Sequence, residues 1–172
     1  MTVKTKNTKL PLKKNNEPVA SKKYQKALDL AEAGKHQEAL ECIQKYLTES
    51  PDNAEIINDT GAILYCLNRS DEAIEHFLKA NELQPDSAEI IWNLSEAYLS
   101  ESNAKQAAAL FDTMEKLGIL NAEILNRTAE MFINAGEISD AHKLLTKSLE
   151  ISPNQPVLHP MLEIISRKMA EN

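Results

Sequence analysis

Four columns of residues, read at a spacing of 34, constrain this chain more than any other feature of it. Ala39, Ala73, Ala107 and Ala141 form one column, and the small residues Ala27, Gly61, Ser95 and Ala129 form another. Leu30, Leu64, Tyr98 and Phe132 are bulky and apolar, as are Ile43, Phe77, Phe111 and Leu145. Pro51, Pro85 and Pro153 share a phase, with Ile119 in the remaining slot. A fixed period of this length means one supersecondary unit stacked on copies of itself, each burying the face its neighbour would expose.

Within a unit the apolar residues recur at helical spacing, as in Ile57, Gly61, Leu64 and then Ala73, Phe77, Ala80. Polar or small breaks separate the two runs: Ala33-Gly34, Asn68-Arg69-Ser70, Ser102-Asn103 and Ala135-Gly136. Each unit therefore reads as two helices of about 14 residues joined by a tight turn. Small residues in the Gly61 and Ala73 columns let the paired helices approach, and the Leu64 and Phe77 columns fill the space between units. Asp52-x-x-Glu55 and Asp86-x-x-Glu89 read as helix starts. Pro85 cannot continue a helix. Where Ile119 replaces the proline, Gly118 is expected to end the helix through a left-handed cap. Lys26 stands in the column of Leu94, so the first helix is expected to be partly exposed.

Ala73-x3-Phe77…Pro85, preceded by Gly61-x2-Leu64, resembles the tetratricopeptide repeat (TPR), a helix–turn–helix of 34 residues. The resemblance covers four units, 20–53, 54–87, 88–121 and 122–155. It implies an all-α fold, a right-handed α-solenoid of helix–turn–helix repeats. Residues 156–172 break the columns. Val157, Leu158, Met161, Leu162, Ile164, Ile165 and Met169 fall on one broad face, read as a capping helix over the fourth unit or as a contact with a second copy. Pro160 fits only a first turn.

Composition agrees with a helical protein: only 5% of residues are aromatic and four are Gly, while 42% are hydrophobic. No apolar run approaches the length of a membrane span, and the first residues lack the apolar stretch of a secretory signal. Cys42 and Cys66 read as small buried hydrophobes in a reducing compartment, so a cytoplasmic location is expected. The sequons at Asn68, Asn93 and Asn126 then carry no sugar.

Charge is unevenly placed. Residues 1–23 carry seven lysines against Glu17 alone, a net +6, which leaves −13 on the rest of a chain whose total is −7. Residues 1–19, with Pro11, Pro18 and no apolar period, read as a disordered Lys-rich arm. It reads first as a solvated, solubilising tail; the alternatives are attraction to the phosphates of a membrane or nucleic acid, or folding back onto its own acidic body or a neighbour's. It has no aromatic or Arg with which to read nucleic acid, so no DNA partner is expected.

Nothing in the chain points to catalysis. His36, His76, His142 and His159 make no metal-ligand spacing, and there is no phosphate loop, dinucleotide fingerprint or nucleophile elbow. No cofactor and no metal are expected. In the TPR family the first helix of each pair lines a groove that holds a partner segment. By matching phase, the resemblance assigns that role to Glu55, Asn58, Asp59, Ala62 and Tyr65; to Glu89, Trp92, Asn93, Glu96 and Leu99; and to Glu123, Asn126, Arg127, Glu130 and Ile133. Tyr24, Leu28 and Ala31 match in the first unit. The glutamates also suit helix N-termini, and the amides could grip a peptide backbone. Trp92, the single Trp, serves either the core or the groove. The basic clamp of chaperone-binding TPR domains is absent, since Tyr24, Leu28, Asp59, Glu89 and Asn93 occupy its positions. The expectation is a non-catalytic adaptor whose acidic, amide-lined groove takes a neutral or basic protein segment. A carrier that shields a hydrophobic segment, or recruitment to an anionic membrane or nucleic acid through the arm, are the alternatives. TPR-built secretion chaperones have a further helical segment ahead of the first repeat, which is not expected here.

Overall fold

Ten helices and no strand make up the described residues of the computed structural model, 22–170, in which the side chain of Lys23 is also left undescribed. The expected arm of residues 1–19 lies outside them. The helices are α1 (Lys22–Glu32), α2 (His36–Leu47), α3 (Ala54–Cys66), α4 (Ser70–Leu83), α5 (Ala88–Ser100), α6 (Ala104–Ala109), α7 (Phe111–Lys116), α8 (Ala122–Asn134), α9 (Ile138–Ile151) and α10 (Leu158–Ala170). None is long and apolar enough to cross a membrane. The chain divides into two compact units, one ending at Ala97 and the other beginning at Tyr98.

One residue in each turn makes the helical hairpins. Gly34, Asn68, Ser102 and Gly136, spaced by 34, carry φ of 77°, 58°, 56° and 78°. The next amide in each case reaches back five residues: Lys35 to the carbonyl of Leu30, Arg69 to Leu64, Asn103 to Tyr98 and Glu137 to Phe132, at 2.8–3.0 Å. This is the Schellman closure, and it satisfies a carbonyl that the helix end would leave bare. The bulky column, of which Leu64 and Phe132 are buried and Leu30 and Tyr98 half-buried, is therefore also the column whose carbonyls close the turns. Gly118, with φ of 69°, ends α7 in the same way, the Ile119 amide bonding to Met114 at 2.9 Å.

Helix starts differ from the sequence expectation. The cap of α3 is Asn53, whose Oδ1 accepts from the amides of Glu55 and Ile56 at 3.0 and 3.1 Å. Asn121 caps α8 and Asn103 caps α6. A side-chain oxygen caps from the position directly before the first helical residue, and Asp52 stands one residue too early. The second helix of the third pair is also broken. The Leu110 amide bonds to Ala107, three residues back, and this tightened turn separates α6 from α7.

In the first unit α3 and α4 meet where the expected small residue stands. A Cβ on Gly61 would lie 2.8 and 2.9 Å from Cε1 and Cδ1 of Phe77, whose side chain is fully buried. Ala54, Ile57, Ala80 and Ile90, with Leu47 against them, join one hairpin to the next. In the second unit Ala104, Ala129, Phe132, Ala141, Leu145, Leu158 and Ile165 form one core.

The face of α10 is narrower than its sequence suggested. Leu158 and Ile165 are buried and Leu162 is partly covered, while Val157, Met161, Ile164 and Met169 remain exposed. Residues 158, 162 and 165 follow one another by a helical turn. A single neighbour covers one such stripe, and 157, 161 and 164 form the stripe beside it. Cys42 and Cys66 are not joined in a disulfide and are partly rather than fully buried.

Candidate functional site

A polar cluster on the first helices of the first unit is the strongest candidate. Helices α1, α3 and α5 each begin a hairpin, so residues of matching phase stand side by side. Asn58 on α3 faces two residues of α5 that are one turn apart. Its Nδ2 donates to Oε1 of Glu89 at 3.2 Å, and its Oδ1 accepts from Nδ2 of Asn93 at 3.0 Å. The amide thus fixes the register of α5 on α3 by spanning a turn of the facing helix.

Asp59, next along α3, is fully buried and accepts a hydrogen bond from the hydroxyl of Tyr24 on α1. Burial pushes its carboxyl up to about 7; the fields of Glu89 and Glu55 act in the same direction, and the Tyr24 bond opposes them. Burial and the Asp59 charge raise the Tyr24 phenol as well, so the hydroxyl keeps its proton and serves as the donor. Oδ1 of Asp59 and Oδ1 of Asn93 are buried without a hydrogen-bond partner.

The residues expected to bind a partner occupy different settings. In the first unit Asn58, Asp59, Asn93 and Glu96 are buried, together with Ala62, Tyr24, Leu28 and Ala31; Leu99, further along α5, is buried as well. Glu55, Tyr65, Glu89 and Trp92 are half-buried. In the second unit Glu123 and Glu130 are exposed on α8, while Asn126, Arg127 and Ile133 are half-buried. Asn126 donates to Oε1 of Gln155 at 2.7 Å, and Gln155 in turn donates to the Ser148 and Ser152 carbonyls at the end of α9. Sequence reasoning missed Gln155 altogether. It also missed that Tyr24, one repeat before Asn58, supplies the donor to Asp59, although the shared column was visible. No group of His, Cys, Asp and Glu suited to a metal ion occurs among the described residues.

Helical hairpins of this period, with their small-residue crossings and closed turns, define a helix–turn–helix repeat protein. The profile of the family described as "Psidin, N-terminal TPR repeats region" matches residues 5–121, and the chain belongs to that family of TPR proteins. No curated protein matches the chain. Among solved structures it is similar to MamA AMB-1, at 17% identity and a TM-score of 0.70, covering 86% of this chain and 81% of that one. MamA 41-end from Desulfovibrio magneticus RS-1 superposes with a TM-score of 0.69 at 14% identity, over 88% of both chains. MamA MSR-1 gives 0.67 at 18% identity, over 86% and 85%. At these identities the likeness is one of fold.

Proposed function

We propose that this protein is a non-catalytic interaction scaffold that captures a neutral or basic protein segment on the acidic, amide-bearing face of α3 and α5. One observation carries the reading. Glu55, Asp59 and Glu89 stand close enough for their charges to act on one another, with the aromatic Trp92 on the same helix as Glu89. Carboxylates held together on one face favour a positively charged segment over an acidic one. Membership of a TPR family supports an interaction role, and Trp92 supplies an anchor of the residue type that dominates binding energy. Glu123, Asn126, Arg127 and Glu130 on α8 offer a second polar face within the other unit.

The test is affinity capture from the native cell, wild type beside the Glu55→Gln/Trp92→Ala variant. Both positions are partly accessible, so helicity should be unchanged while one partner is lost. Equal capture by the two proteins would reject the reading.

A second reading has its own support. The exposed stripe of Val157, Met161 and Ile164 on and beside α10 suits pairing with another copy of the chain. Sedimentation across a concentration series tests it, with Ile164→Asp expected to abolish any dimer.

A further inference from the structure

We propose that copies of this chain associate head to tail, the apolar stripe of α10 in one copy seating on the acidic outer face of α4 in the next. The inference rests on the reading in which α10 meets a second copy, and it names the surface that α10 meets.

The large apolar side chains left exposed among the described residues fall mainly into two sets. Val157, Met161 and Ile164 make the stripe of α10, while Leu78 and Leu83 stand on α4. Their charged surroundings are opposite. Arg167, exposed in the basic last turn of α10, follows Ile164 by one helical turn, and Glu163, the only carboxylate of that helix, falls outside the stripe. On α4 the exposed residues Asp71, Glu75, Leu78 and Glu82 recur at helical spacing and line one outward stripe. Glu72 beside it is held by Arg69 at 2.6 Å, and the Lys79 ammonium donates to the Pro51 carbonyl at 3.0 Å. The carboxylates of the stripe itself are left to a cation from outside.

The other repeats show what stacking requires of these positions. Gln44, Asp112 and Thr146 match Leu78 and are all exposed, so the fold does not ask for leucine there. Lys105, Lys143 and Lys116 match Asp71, Glu75 and Glu82, so it does not ask for carboxylates either. Helix α4 alone joins an exposed leucine to a row of acids. An apolar stripe ending in a cation is complementary to that surface, whereas a second α10 stripe offers Arg167 no carboxylate. A contact between unlike surfaces leaves one of each kind free at the ends, so it propagates where a twofold pair would close.

Sedimentation over an about hundredfold concentration range tests this with two variants and their mixture. One variant carries Glu75→Lys and Leu78→Gln, residue types that α9 and α2 hold at the matching positions, so its helicity should equal that of wild type. The other carries Ile164→Asp on the exposed stripe, with Arg167→Glu as a second disruption of the same surface. Wild type should gain mass past the dimer as concentration rises. Each variant alone should associate at least about tenfold more weakly. An equimolar mixture of the α4 variant and the Ile164→Asp variant retains one intact surface of each kind, so it should recover association and stop at a one-to-one pair. That pair should weaken several-fold between about 50 mM and about 500 mM salt. Association of the α4 variant at wild-type strength would overturn the inference and leave pairing of α10 with α10 standing. A mixture no stronger than its two components would overturn it as well. Wild type that stays monomeric across the whole range would overturn both readings.

Discussion

The hydroxyl of Tyr24 donates to the buried carboxylate of Asp59, tying the first helix of one hairpin to the first helix of the next. The bond runs between residues 35 apart, and it meets a carboxyl that burial holds near pKa 7. The consequence for stability has a definite sign. The folded carboxyl holds its proton to a higher pH than the unfolded one, which titrates near 3.8. Stability is therefore fully present at low pH and is lost as pH rises through the folded value.

Asp59→Asn removes this titration. Its stability relative to wild type should improve between pH 5 and pH 8 by on the order of 3 kcal/mol, read from urea unfolding at both pH values. Parallel profiles for the two proteins would show that Asp59 does not titrate in the fold.

Tyr24→Phe should act in the opposite direction. It removes the donor that offsets burial, so the Asp59 titration moves higher. The cost at pH 8 is about 1–3 kcal/mol, that of a hydrogen bond to a charged group. In the Asp59→Asn background the same change should cost less. Additive effects in that cycle would mean the two side chains are not coupled.

Gly61 and Phe77 make a separate prediction. Gly61→Ala gains up to about 1 kcal/mol of helix propensity. The new methyl, however, would stand 2.8 Å from a ring that is 0% exposed and cannot withdraw. Overpacking of a filled core costs about 1–3 kcal/mol. A net loss of about 1 kcal/mol is expected in denaturant unfolding, and a stabilised variant would show that the Phe77 ring has room to move.

Gly61 also illustrates what could be read without coordinates. Its column is small in every repeat, because two helices cannot cross closely otherwise, and a constraint imposed four times leaves a visible pattern. The repeat and its turns were legible for this reason. Features that occur once left no such trace. Asn53 rather than Asp52 caps α3 because of a one-residue difference in where the helix starts. Asn58, read as a possible grip on a peptide, uses both ends of its amide on Glu89 and Asn93. Burial of the residues expected to face a partner depends on neighbouring helices, and a column of residue types does not encode it.

The turns give a prediction that involves backbone alone. Ser102 holds φ of 56°, a conformation that costs an L-residue roughly 1–2 kcal/mol. Ser102→Gly should raise stability by about 0.5–1 kcal/mol, the relief being partly offset by the freer unfolded chain. The reverse change, Gly136→Ala, should lower it by about 1 kcal/mol at φ of 78°, although a Cβ there meets nothing within 4 Å. Unchanged midpoints for both variants would mean that the turns relax out of the left-handed region at no cost.

The two apolar stripes of α10 should respond differently to truncation. Leu158 is 7% exposed and belongs to the core with Ala141, Leu145 and Ile165. Leu158→Ala removes buried methyl groups and leaves a cavity, so a loss of about 2–3 kcal/mol is expected. Ile164 is 58% exposed on the neighbouring stripe. Ile164→Ala should stay within about 0.5 kcal/mol of wild type at dilute protein. If a second copy covers that stripe, the Ile164→Ala penalty must grow with protein concentration while the Leu158→Ala penalty does not, since association stabilises by mass action. Unfolding midpoints at two concentrations about a hundredfold apart separate the cases. A large penalty for Ile164→Ala at low concentration would mean that the stripe packs inside the monomer.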